Sequence, residues 1–295
     1  MTREQPAPIE PPLSQRIASF LVDCAARNLS PNTLRIYRDQ LRMFASWLAD
    51  RDVTADAVRE YLVHLRRSHN PGGVHQAFRV VKTWCRWCDA EGLATGNPTA
   101  RIRAPRVPGN PLPPVPLPDV AAMLKTCDGS YCGVRDRAIL LCLLDTGCRA
   151  SEFVALAVSD VDPTTGNVLV HAGKGSKRRA VFIGAKTRRA VGRWLRVRGD
   201  TPGALWLTDE GTPLTYAGLR QIVRRRAVRA DVPCPPLHAF RRAFALCSLR
   251  AGIDVYSLQR LMGHADLTVL RRYLAQTDAD LRDAHEKSSP VDRLL

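Results

Sequence analysis

The sequence predicts a mainly α-helical protein of two domains with one small β-sheet. Three observations predict it. Apolar residues recur at three- and four-residue spacing over most of the chain, one proline-rich basic stretch divides it, and one segment splits into two short β-branched runs about a glycine-rich turn. At 295 residues the chain has room for two ordinary domains.

The first domain is expected over residues 1–97. A helix is read near 15–27. The next begins where Ser30 can cap and Pro31 can occupy the first turn, and it carries Leu34, Tyr37, Leu41, Phe44 and Leu48 along one face. Further helices are expected over about 54–67 and 73–90, giving a bundle of four or so. Residues 98–118 read as an extended linker. Eight of the 21 prolines fall between Asn97 and Pro118, interleaved with Arg101, Arg103 and Arg106. The second domain, 119–295, opens with helices over 119–125 and 136–145. The run NVLVHAGKGSKRRAVFI, 167–183, then reads as a hairpin about Gly-Lys-Gly-Ser. Helices follow over 186–197, 216–230, 237–250, 255–262 and 267–274, the last two joined across Gly263. No repeat of solenoid period is present.

The formal charge is +16, from 44 Lys+Arg against 28 Asp+Glu, and both domains are net basic. A polyanion is therefore the expected partner, and arginine, which dominates, forks onto phosphate oxygens. The longest apolar run, 138–144, is far short of the ~18 residues that span a bilayer, so no membrane segment is expected. MTREQPAPIEPP lacks the pattern of a secretory signal, which places the expected protein in the cytoplasm. Nine cysteines form no disulfide framework. The single CxxC, Cys85 and Cys88, lies in a helical run without a second ligand pair, so packing thiols are expected and zinc is not.

Cutting a phosphodiester without a metal requires donors for the charge that builds on phosphorus-bound oxygens, a nucleophile, and an acid for the leaving oxygen. The second domain offers such groups in order: Arg149 in TGCRASE, Lys174 in GKG, His238 and Arg241 in HAFR, His264 in MGH, and Tyr273 in LRRY. His238 and Arg241, three apart, share one face of a helix.

In that order and at those separations these residues resemble the tyrosine recombinase or phage integrase family. The specific part of the resemblance runs from about residue 135 to 274, and the first domain is compatible with it. It implies a C-shaped clamp on duplex DNA, with a helical core-binding domain on one side and a mixed catalytic domain on the other. It also implies site-specific cutting and rejoining through a 3′-phosphotyrosine on Tyr273, with no metal and no cofactor. Arg149 and Arg241 would hold the non-bridging oxygens, and Glu152 would orient Arg149. His238 would take the tyrosine proton, His264 would donate to a non-bridging oxygen, and Lys174 would protonate the departing 5′ oxygen. Lys177, three residues on, is expected on the DNA backbone instead. The sequence departs from the family at Ala275, where a histidine commonly follows the nucleophile by two.

Among DNA contacts the run 219–229 offers Arg220, Arg224, Arg225, Arg226 and Arg229, and the first domain offers Arg35, Arg38 and Arg42 at helical spacing. The resemblance implies a homotetramer on synapsed DNA, a monomer or weak dimer when free, and a C-terminal tail that docks on a neighbouring protomer. An integrase of a phage or mobile element is the leading expectation; no further DNA-binding domain is read ahead of the bundle, so short simple DNA sites are expected rather than two-site bridging. The alternatives are a chromosome-dimer resolving recombinase, a type IB topoisomerase-like nickase, and a DNA-binding protein without catalysis. The last is disfavoured because all six catalytic positions are filled.

Overall fold

A computed structural model of the chain describes residues 10–108, 113–171 and 178–263, together with 282, 285, 286, 289 and 291. It divides into two compact units, Met1–Asn110 and Pro111–Leu295.

The first unit is a bundle of α1 (Leu13–Ala26), α2 (Pro31–Leu48), α3 (Ala55–Leu65) and α4 (Pro71–Ala90). Local chemistry sets three of the starts: Ser30, Thr54 and Asn70 each accept the N–H three residues on. The stripe read from α2 turns inward, with Leu41, Phe44 and Leu48 fully buried. Phe44 meets the edge of Tyr61 at 5.0 Å and of Trp84 at 6.3 Å between ring centroids. Burying each such side chain contributes roughly 2 kcal/mol. Cys85 and Cys88 lie in this core, where burial pushes their thiols up to about 12 and about 11, the chemistry of packing groups. Ile102, inside the proline-rich stretch, is also buried there.

The second unit contains α5 (Leu117–Lys125), α6 (Tyr131–Thr146), α7 (Ala150–Val154), β1 (Asn167–Val170), β2 (Arg179–Phe182), α8 (Ala185–Arg198), α9 (Tyr216–Arg229), α10 (Leu237–Arg250) and α11 (Val255–Met262). α6 begins five residues before the periodicity suggested. Ser130 caps it by accepting the Gly133 N–H, and Asp128 holds the Ser130 hydroxyl at 2.5 Å. β1 and β2 pair antiparallel, Val168 opposite Val181 and Val170 opposite Arg179, and Val168 and Val170 point into the core. Between α8 and α9, where no element was expected, single bridges join Ala157 to Ala204 and Leu207 to Pro213.

α6 is buried nearly all round and packs against α8 and α10, so the other elements are arranged about it. Its buried Asp136 accepts from Arg135 at 2.9 Å and from Arg226 of α9 at 2.8 Å, all three side chains being 2% exposed. Arg226 was grouped with the DNA-facing arginines of its helix; it points the other way. Leu219, Ile222, Val223 and Arg226 line the buried face of α9, and Arg220, Arg224 and Arg225 lie on the exposed one. No described helix is long and apolar enough to cross a membrane. The helix expected over 267–274 and most of the tail lie outside the described residues.

Candidate active site

The site is built where α6 stops. Thr146 closes the helix with its hydroxyl, donating to the Cys142 carbonyl at 2.7 Å and accepting the Cys148 N–H at 3.3 Å. The chain then reverses through Gly147 at φ +57°. A Cβ there would sit 2.3 Å from the Phe244 ring, so only glycine fits. Two residues later Arg149 caps α7. Glu152, in the first turn of α7, accepts the Arg149 N–H at 3.0 Å and its Nη1 at 2.9 Å.

Glu152 also accepts both Nη groups of Arg179, at 3.2 and 2.6 Å, and Arg179 Nε donates to the Leu261 carbonyl at 2.9 Å. Arg179 was absent from the sequence-derived candidates; on β2 it reads as one more cation after the hairpin turn, and nothing local marks it. Partial burial raises the Glu152 pKa, but the Arg179 hydrogen bonds, the Arg149 N–H and the guanidinium charges outweigh it and hold the carboxyl at about 2. Glu152 is therefore a fixed anion that ties α7, β2 and the end of α11 together.

α10 supplies the second arginine. Arg241 is 1% exposed and donates through Nη1 to the Gly147 carbonyl at 2.7 Å and through Nη2 to the Met262 carbonyl at 2.6 Å. Arg149 Nη2 reaches the next carbonyl, that of Gly263, at 3.4 Å, and its side chain stays 43% exposed. The two arginines, far apart in sequence, thus meet at one corner formed by Gly147 and the end of α11. Gly263 turns that end at φ +63°, and a Cβ on it would press on Arg179 at 3.0 Å. His238, one turn before Arg241, is exposed at the start of α10. Its pKa is lowered from the ordinary 6.5, first by partial desolvation and then by the charges of Arg241, Arg242 and Arg149. Arg242, off that face, donates to the Pro113 carbonyl at 2.9 Å and holds the segment ahead of α5.

Arg149, His238, Arg241 and Glu152 are therefore brought together. Lys174, Lys177, His264 and Tyr273 lie outside the described residues. Of the remaining candidates, Arg220, Arg224 and Arg225 are exposed on α9, as are Arg35, Arg38 and Arg42 on α2, and Arg101, Arg103 and Arg106. Arg35 already donates to Asn32 at 2.8 Å and pairs with Asp39 at 3.5 Å.

The arrangement is one that can neutralise a doubly negative oxygen pair beside an imidazole kept neutral. Residues 117–280 match the model described as "Phage integrase family", and residues 17–73 match "Phage integrase, N-terminal SAM-like domain". Tyrosine recombinase XerC 2 of Ralstonia nicotianae is 32% identical over 89% of this chain and 82% of its own length. Tyrosine recombinase XerD of the same organism is 31% identical over 98% of this chain and 99% of its own. In fold, a lambda integrase tetramer bound to a Holliday junction superposes with a TM-score of 0.76 at 16% identity, over 92% of this chain and 81% of that one. A match that runs nearly end to end at this identity makes the chain a member of the phage integrase family, an enzyme of the tyrosine recombinase type.

Proposed function

We propose that this recombinase cuts and rejoins duplex DNA at specific sites, with Tyr273 as nucleophile. The phenol oxygen attacks phosphorus, the P–O5′ bond breaks, and a 3′-phosphotyrosine and a free 5′ hydroxyl result. His238, held neutral by its surroundings, takes the phenolic proton, and Lys174 returns a proton to the departing oxygen. Arg149 and Arg241 bind the non-bridging oxygens with His264 beside them, and Glu152 and Arg179 position Arg149. Attack by the 5′ hydroxyl of a partner strand reverses each step. One phosphoester replaces another throughout, so the chemistry consumes no nucleotide and asks for no metal or cofactor.

The observation that carries this reading is the meeting of Arg149 and Arg241 at the Gly147 and Met262–Gly263 corner, with His238 feeling both charges. We assign the first unit to core DNA binding and the second to catalysis, with 98–118 connecting them. A tetramer on synapsed DNA is the expected assembly, by analogy with the lambda integrase tetramer on a Holliday junction. The cytoplasm is the expected compartment for a chain whose nine cysteines are all free thiols. Integration of a phage or mobile element remains one setting. The end-to-end match to XerC and XerD relatives favours the other, Xer-type resolution of chromosome dimers.

The test is a nicked suicide duplex incubated in EDTA and run on a denaturing gel. The wild-type chain gives a protein-linked DNA band and Tyr273→Phe gives none. An undiminished band in the variant rejects this nucleophile.

A further inference from the structure

α8 carries six cations and no acid. Two of them are structural. Arg188 donates to the carbonyls of Pro163 and Thr164, and Arg198 donates to those of Gly199, Thr201 and Ala204. The other four, Lys186, Arg189, Arg193 and Arg196, are exposed, stand at spacings of three, four and three, and make no hydrogen bond or ion pair among the described residues. They form one straight stripe opposite the buried face of Thr187, Val191 and Trp194.

This stripe works against its own helix. Like charges at these spacings repel, and cations near a helix start oppose its dipole. A surface shaped for solubility alone intersperses the two signs. Gly192 leaves open space within the stripe, and a shallow trough of about 660 Å³ runs beside it between Pro163 and Arg196. α8 and α10, the helix of His238 and Arg241, both pack on α6, and none of the four stripe cations is bonded to Arg149, Glu152, Arg179 or Arg241 among the described residues.

We infer that the outward face of α8 holds the phosphate backbone of a second DNA duplex, distinct from the one being cut. At 1.5 Å per residue the stripe is about 15 Å long, a little over four steps of 3.4 Å axial rise, and so reaches roughly five successive phosphates of one strand. Arginine forks suit phosphate oxygens, and the open trough lets a duplex lie along the helix. The inference rests on the recombinase reading, in which two duplexes must be brought together.

The test uses the full chain with Arg189→Gln, Arg193→Gln and Arg196→Gln combined. Glutamine keeps helix propensity and the change relieves repulsion, so the fold should hold. Two readouts are taken: covalent adduct on a single suicide duplex, and capture of a second, differently labelled duplex by protein already bound to a bead-linked one. The expected result is an unchanged adduct, capture reduced at least tenfold, and a log–log salt dependence of capture shallower by about 2 to 3. Unchanged capture overturns the inference. So does an equal loss of binding to the first duplex, which would put α8 on the cut DNA. Unchanged capture with lost binding of a poly-glutamate probe would assign the stripe to an acidic protein instead. If the wild-type chain forms no adduct at all, the recombinase reading fails, whereas the capture readout still reports on α8.

Discussion

Arg149 and Arg241 donate to the carbonyls of consecutive residues, Gly263 at 3.4 Å and Met262 at 2.6 Å. The end of α11 therefore sets the spacing between two guanidinium groups carried by α7 and α10. A shift of that end moves both at once.

Removing either arginine should lower the rate of covalent cleavage by about 10² to 10³, the usual cost of one transition-state donor. Arg149→Lys should recover little, since an ammonium cannot fork onto two oxygens. Single-turnover cleavage on suicide duplexes measures this, and the double variant should fall by less than the product of the single losses. A tenfold or smaller loss for Arg149→Ala would remove it from the reaction.

Glu152 makes the fold acid-sensitive in a definite window. Its folded pKa, about 2, lies below the ordinary 4.5. Its contribution is therefore fully present above pH 4.5 and is lost as pH falls from there through 2, up to about 3 kcal/mol in all. Urea titrations of wild type and Glu152→Gln should converge as pH drops across that window. Parallel curves would show that Glu152 is not the linked group.

His238 should set an acid limb of cleavage that lies below pH 6.5, because its surroundings disfavour the imidazolium. The neutral form that accepts a proton then prevails at neutral pH. A pH–rate profile of adduct formation checks it, and a limb centred above 6.5 contradicts the proposed role.

Gly147→Ala should cost roughly 2 to 4 kcal/mol, from a left-handed backbone and a Cβ 2.3 Å from the Phe244 ring. Phe244→Leu in the same chain should restore part of it by removing the clash and leaving the strain. Equilibrium urea unfolding of wild type and these two variants separates the two.

Asp136→Ala should be destabilising by about 3 to 5 kcal/mol, because Arg135 and Arg226 would be left charged and buried without their anion. Replacing Arg226 should be as harmful, while Arg225→Gln, one residue away and exposed, should leave the unfolding midpoint nearly unchanged.

What the sequence determined by itself was local. Ser30, Leu41, Phe44 and Leu48 announce α2 because a cap and a 3.6-residue period act within one helix, and the paired β-branched runs announce β1 and β2 for the same reason. The motifs about Arg149, His238 and Arg241 were legible as chemistry, since residue type and order survive without coordinates. Tertiary structure decided the rest. Arg241 meets Gly147 across 94 positions, and Arg149 meets Gly263 across 114, distances that only packing about α6 closes. It also decided which arginines are free to act: Arg226 and Arg179 look like their neighbours in the sequence, yet buried carboxylates claim them. A charge pattern records how many cations a helix has, whereas the partner each one finds depends on elements that periodicity cannot see.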